Sequence, residues 1–175
     1  TSDQKIPIVV RNPQRTDQGR IKHITPIGFI DLKKVEGSLV PENLDEAILR
    51  RLLDELDFPG SDSMEEQGIM KPLGIVYNSR KNFDYEAAVI IPLSAEASQV
   101  KLKGQKNEEL EWVDTALSSL ESTLLELAIA PETNSGHLRG DVALTIAHLY
   151  GQQNYFKALE NTVLEISRIK GEENK

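Results

Sequence analysis

Apolar residues recur at helical spacing after Asn43, and this is the strongest structural signal in the chain. Side chains four residues apart share one face of an α-helix, whereas strand side chains alternate at every second position. The apolar stripe consists of Leu44, Ile48, Leu52 and Leu56, with Leu49 and Leu53 beside it. The sequence Phe58-Pro59-Gly60 interrupts the pattern, so we predict an amphipathic helix from Asn43 that ends there.

Runs of β-branched and aromatic residues flank this helix and predict strands. Residues 6–10 contain Pro7 and predict an edge strand, because proline cannot donate a hydrogen bond to a sheet. Residues 21–32 predict a strand that bends around Pro26 and Gly28. Three further strands are predicted at residues 73–79, 83–93 and 109–113.

The C-terminal third is predicted to be helical. Apolar residues repeat at helical spacing through residues 115–130, where Pro131 ends the pattern, and helices are also predicted at 141–150 and 155–170. This order of elements predicts an α/β protein of the α+β type, in which helices flank a mixed β-sheet and additional helices follow at the C-terminus.

Composition narrows the possible functions. A formal net charge of -8 would repel a phosphate backbone, so nucleic acid is not an expected partner. The absence of cysteine excludes a disulfide framework and a thiolate metal site. The longest apolar runs are far shorter than the roughly 20 residues of a membrane helix. We therefore expect a cytoplasmic protein with no membrane association.

The predicted helix and its flanks resemble the signature of the Nudix hydrolase superfamily. That signature is a glycine, five residues, a glutamate, seven residues, and then R-E-U-x-E-E-x-G-U, where U is aliphatic. When Arg50 is placed on the signature arginine, Glu42 falls on the early glutamate and Leu52 on the aliphatic position. Asp54 and Glu55 fall on the paired glutamates. Residues 72–79 and 109–114 are also similar to later Nudix strands.

The resemblance implies a Nudix-like domain over residues 1–130 and a helical extension over 131–175 that packs on the same domain. It also implies a metal-dependent hydrolase of a nucleoside diphosphate linked to another moiety, so the expected ligand is small, phosphorylated and nucleotide-like. Glu55, Asp54 and Glu42 would hold Mg²⁺ or Mn²⁺, and hard oxygen ligands suit both ions. Glu109 would act as general base, and Arg50 would orient the carboxylates.

The signature is incomplete in this chain. Arg51 occupies the position of the first glutamate, and a guanidinium there would repel a metal ion. The signature glycine falls on Glu36, with Gly37 one residue late, and Asp57 and Phe58 replace the final glycine and aliphatic residue. An alternative function is therefore a catalytically inactive Nudix-fold module that binds a ligand or another protein.

Two further interpretations stay open. Arg50 with Asp54 and Arg51 with Glu55 are spaced for two i,i+4 ion pairs on a solvated helix face, which would be structural and not metal-binding. A C-terminal apolar stripe could mediate homodimerisation or docking to a larger protein, or it could pack within the chain. That stripe consists of Leu159, Val163, Ile166 and Ile169.

The three histidines are not predicted to form a site. His23 is placed in the bent strand, His137 in a glycine-containing loop and His148 in a helix, and no zinc-binding spacing links them. Trp112 is interpreted as a core residue, since large aromatic side chains dominate burial.

Overall fold

The computed structural model describes residues 1–11, 21–23, 31–61, 70–78, 84–103 and 108–173, and within them the chain is a mixed α/β protein. The strands are β1 Lys5–Arg11, β2 Ile21–His23, β3 Leu32–Val35, β4 Ser38–Pro41, β5 Leu56–Asp57, β6 Lys71–Asn78, β7 Asp84–Ile90, β8 Lys101–Leu102 and β9 Glu108–Asp114. The helices are α1 Leu44–Glu55, α2 Leu117–Ile129, α3 Gly136–Tyr150 and α4 Gln152–Glu173. The predicted bend at Pro26 and Gly28 lies outside the described residues.

The strands form separate antiparallel ladders. One three-stranded sheet has the order β2-β1-β9, and the pairs β3-β4, β5-β8 and β6-β7 form two-stranded ladders. Within the described part of the chain, every pairing between these named strands is antiparallel, so the single mixed sheet expected from the sequence is not seen there. The pair β6-β7 is consecutive along the chain, which suits a hairpin.

The prediction of β1 as an edge strand is wrong, because β1 lies between β2 and β9. The placement of Pro7 explains how a central strand accommodates proline. The β2 strand pairs only with Val9–Arg11, whereas Pro7 is opposite Trp112 of β9 alone. On the side that faces β2, no paired strand lies opposite Pro7, so the missing backbone N–H of this proline costs no hydrogen bond of the ladder.

The three-stranded sheet separates two apolar clusters. On one face, Ile8 packs with buried residues of α2, α3 and α4, including the fully buried Leu120, Leu138 and Ile146. On the other face, Trp112 packs against a cluster that includes Leu52 of α1. The C-terminal helices therefore cover one face of the sheet, and the cluster that contains Leu52 of α1 covers the other, so both apolar faces are buried.

Side-chain caps fix where two of the helices begin. The α1 helix follows Asn43, whose side chain accepts a hydrogen bond from the backbone N–H of Glu46, so the predicted start is confirmed. It ends at Glu55, a few residues before Pro59, because Leu56 and Asp57 pair with β8.

The start predicted for α3 at residue 141 is wrong. Ser135 accepts a hydrogen bond from the N–H of Leu138, and the helix begins at Gly136. His137 therefore lies in the first turn of α3 and not in a loop. His137 and Asp141 therefore lie one helical turn apart on the same face of α3.

The α3 helix approaches β6 closely at Gly140. A Cβ atom at this position would lie 2.4 Å from Cγ1 of Val76, which is closer than two carbon atoms can pack. Glycine is therefore required for α3 to sit on the β6-β7 hairpin, and this contact brings the first turns of α3 beside β7.

None of the four helices, taken over the residues that the structure describes, is both long and apolar enough to cross a lipid bilayer.

Candidate functional site

The Arg50 guanidinium on α1 is surrounded by three carboxylates. Its Nη2 lies 2.6 Å from Oε2 of Glu42 and 2.8 Å from Oδ2 of Asp31, and its Nε donates to Oε1 of Glu42 at 3.1 Å. Nη1 lies 3.7 Å from Oδ2 of Asp54, one turn further along the helix. The guanidinium therefore fills the space between the three acids, and the predicted ion pair between Arg50 and Asp54 is confirmed.

Glu42 has little capacity left for a ligand. It is only 5% exposed, and its Oε2 also accepts a hydrogen bond of 2.8 Å from the backbone N–H of Asp31. Hydrogen bonds from Arg50, and then from the Asp31 backbone, lower the pKa of Glu42 to about 2. Glu42 is thus a charged, hydrogen-bonded link between α1 and the segment before β3.

Two of the predicted metal ligands, Glu42 and Asp54, already have a cationic partner in Arg50. Glu42 and Asp54 face a guanidinium, which already supplies the positive charge that a metal would bring. Glu55 is half-buried at the end of α1, where its backbone carbonyl accepts a hydrogen bond from the Lys103 N–H. No group of three metal-ligating side chains occurs among the described residues. Metal binding by Glu55, Asp54 and Glu42 stays a prediction.

Glu109 is exposed on the sheet face that carries the C-terminal helices. Side chains of β9 alternate, and Trp112 packs on the α1 side. Glu111 lies on the other side, where Lys22 joins it to Glu126 of α2 by ion pairs of 2.9 Å each. Glu109 is two residues from Glu111 in the strand and lies on the same face of the sheet. The structure therefore does not bring it together with the α1 carboxylates. Its role as a general base stays a prediction.

The glycine near the signature position has a structural role in the β3-β4 hairpin. Glu36 and Gly37 connect the two strands and both have positive φ angles, of 49° and 89°. Two consecutive residues with positive φ are typical of the tight hairpin turn whose twist matches the strands. The positive φ angle required by this turn therefore explains why a glycine occupies position 37.

Arg51 has different surroundings from Arg50. It lines a cavity of about 1370 Å³, together with Leu44, Ala47 and Ile48 from the same face of α1. The rest of the wall is mainly apolar and comes largely from residues 87–93. The Nε of Arg51 is buried and has no hydrogen-bond partner among the described residues. A guanidinium with an unused donor therefore lies in a largely apolar wall.

A second polar group in this cavity wall consists of Glu86 on β7 with His137 and Asp141 on α3. Nδ1 of His137 lies 3.0 Å from Oε2 of Glu86. Asp141 is 7% exposed, and its Oδ2 has no hydrogen-bond partner within the described part of the chain. Burial, and next the charge of Glu86, raise the pKa of Asp141 to about 8.

Sequence reasoning missed this second group, because Glu86 and Asp141 are far apart in the chain and match no motif. Part of it was detectable. A helix started at Ser135 would have placed His137, Asp141, Thr145 and Leu149 four residues apart on one face, and all four line the cavity.

The C-terminal apolar stripe is divided between core and surface. Leu159 packs against the core, whereas Val163 is exposed, as are its α4 neighbours Phe156 and Leu164. Homodimerisation through α4 stays a prediction.

Comparison of the chain with protein families, with curated proteins and with solved structures finds no match.

Proposed function

We propose that the protein is a Nudix-like module that binds a small phosphorylated, nucleotide-type ligand in the cavity beside α1 without cleaving it. The proposal depends on one observation above all, the position of Arg51. This residue stands where the Nudix signature has a glutamate, and it lines the cavity with a buried Nε that no described residue uses.

Arg51 suits an anionic group for physical reasons. A guanidinium is charged at every physiological pH, and its planar set of donors matches the oxygens of phosphate. An apolar wall strengthens this attraction because it excludes water. The surrounding apolar side chains, with Trp112 among them, would contact the non-phosphate part of the ligand.

Arg50 supports the non-catalytic interpretation in a different way. Its guanidinium neutralises Glu42 and lies near Asp54, so two of the three predicted metal ligands already have a cationic partner. Arg50 thereby acts as a structural residue that joins α1 to the segment containing Asp31.

A second candidate function is metal-dependent hydrolysis of a nucleoside diphosphate linked to another moiety. The exposure of Asp54 favours it, since its side chain is 56% exposed and its contact with Arg50 is long, at 3.7 Å. In that case Asp54 and Glu55 would hold Mg²⁺ or Mn²⁺, and the bound ion would neutralise the diphosphate and lower the pKa of the attacking water.

Isothermal titration calorimetry with nucleoside diphosphate sugars, dinucleotides and nucleoside triphosphates tests the binding function. Titrations in the presence of a chelator separate binding from any metal requirement. We expect Arg51→Gln to lower the affinity for the tightest-binding ligand by at least about tenfold, which is the loss expected for one charge-assisted phosphate contact. Arg51→Lys, which keeps the charge and loses the planar donors, should have a smaller effect.

Lys34→Gln is the matched control, because it removes one positive charge from the exposed β3 strand outside the cavity wall. It should leave the affinity unchanged. Equal affinities for wild type and Arg51→Gln would contradict the proposal.

A further inference from the structure

The α3 helix presents one stripe of side chains to the cavity. His137, Asp141 and Thr145 line it at successive helical turns, and Glu86 of β7 adds a second carboxylate beside them. The hydroxyl of Thr145 donates to the backbone carbonyl of Asp141 at 2.8 Å, so it does not satisfy the Asp141 carboxylate. This part of the cavity wall therefore carries two acids, Asp141 from α3 and Glu86 from β7.

The charges in this group do not balance when both acids are ionised. His137, whose Nδ1 lies 3.0 Å from Glu86, could neutralise one carboxylate at most. Asp141 is 7% exposed, and its Oδ2 accepts no hydrogen bond from any residue that the structure describes. A buried acceptor without a partner costs free energy, and a donor supplied by a ligand would recover it.

We propose that Glu86, His137 and Asp141 form a binding site for the protonated amine of an organic cation. An ammonium group brings a positive charge to the two acids and an N–H donor to the Oδ2 of Asp141. The apolar part of the cavity wall suits the carbon chain of such a ligand. This site does not depend on phosphate binding at Arg51.

The titration behaviour of the two acids is consistent with an amine ligand. Burial raises the pKa of Glu86, which the charge of His137 opposes, and the pKa of Asp141 is raised to about 8. A bound cation would favour the ionised carboxylates, so amine binding should release protons near neutral pH. The other titratable groups in the cavity wall are Lys5, Arg51, Tyr150 and the amino group of Thr1.

Hexylamine and 1-hexanol are suitable probes, because they share an apolar chain and only the amine is charged at pH 8. The binding of each is measured by calorimetry on the full chain and on Asp141→Asn, Glu86→Gln and the control Glu132→Gln, which removes an exposed acid that is not in the cavity wall. We expect wild type and Glu132→Gln to prefer hexylamine by at least about tenfold.

Asp141→Asn and Glu86→Gln should each lose most of this preference while their affinity for hexanol is unchanged. Titrations of wild type in two buffers of different ionisation enthalpy should show proton release with hexylamine alone. Equal affinities for the two probes, or a preference that survives in both variants, would overturn the proposal. Arg51→Gln should retain the preference, so failure of phosphate binding at Arg51 is distinguishable from failure at this site.

Discussion

Glu42 and Asp141 are buried to nearly the same extent, yet their surroundings shift their pKa values in opposite directions. Glu42 is 5% exposed and has a pKa lowered to about 2, whereas Asp141 is 7% exposed and has a pKa raised to about 8. Burial favours the neutral form of both acids, so the hydrogen-bond partners decide the difference. Glu42 faces a guanidinium and a backbone N–H, and Asp141 faces Glu86.

This difference separates a structural carboxylate from the one that we propose binds a ligand. The charge-assisted hydrogen bonds of Glu42 hold α1 in place and leave it little capacity for a metal ion. Asp141 keeps an acceptor that no described residue uses. The sequence resemblance pointed to the first acid, and the structure points to the second as the better candidate for binding.

Removal of Arg50 should have the largest effect on stability. Arg50→Gln leaves Glu42 buried without its main cationic partner, and an unpaired buried charge is strongly unfavourable. We expect Arg50→Gln to have the lowest Tm of the single variants, measured by circular dichroism at pH 7. Arg168→Gln is a control, because it breaks exposed ion pairs with Glu165 and Glu172 and should hardly change the Tm. Equal Tm values for the two variants would show that Glu42 does not need Arg50.

Gly140→Ala should separate α3 from β6 and so disturb the surroundings of Asp141. The added Cβ would lie 2.4 Å from Cγ1 of Val76, and overpacking of this kind costs about 1–3 kcal/mol. Urea unfolding measures the loss. Val76→Ala in the same chain removes the clashing methyl groups and should restore part of the stability. A double variant that loses more unfolding free energy than the two single variants lose together would contradict this packing.

Asp141→Asn should stabilise the protein at pH 8 and have little effect near pH 4. The pKa of Asp141 is raised in the folded protein, so its contribution to stability is fully present below pH 3.8 and is lost as the pH rises towards 8. The asparagine cannot ionise, so this loss should disappear. Urea unfolding at pH 5 and pH 8 measures how the free energy of unfolding of wild type and of Asp141→Asn changes with pH. The same change in both proteins would show that ionisation of Asp141 does not affect stability.

The smallest expected effect concerns the predicted metal site. Glu55→Gln should change no Mg²⁺ or Mn²⁺ affinity, because the proposed function needs no metal. Calorimetric titration with each ion is the measurement. Weaker metal binding in Glu55→Gln, or a Mg²⁺ site strengthened by Arg51→Glu, would instead favour the hydrolase.

Local patterns predicted much of the fold. The spacing of Leu44, Ile48 and Leu52 after Asn43 predicted α1, and the β-branched runs predicted β6, β7 and β9. The central position of β1 was missed because Pro7 is typical of an edge strand, and only the short pairing with β2 shows why it is tolerated. The early start of α3 was missed because Gly136 and Gly140 disfavour a helix, although packing against Val76 requires Gly140.

The candidate site was less predictable. Glu42 and Arg50 were identified through the resemblance to the Nudix signature, but their direct contact depends on how α1 follows β4. Glu86 and Asp141 meet only because α3 packs against the β6-β7 hairpin, and no local pattern carries that information. Which of two adjacent arginines faces the cavity likewise follows from the orientation of α1.

A single assay of binding and turnover tests the central claim that the protein binds a phosphorylated ligand without cleaving it. Nucleoside diphosphate sugars, dinucleotides and nucleoside triphosphates are incubated with the protein and Mg²⁺ or Mn²⁺, with a chelator control, and released phosphate-containing products are measured beside calorimetric affinity. We predict that at least one ligand binds, that Arg51→Gln lowers the affinity for this ligand, and that no product is released. Metal-dependent product release that is lost in Glu55→Gln would contradict the claim and establish a hydrolase.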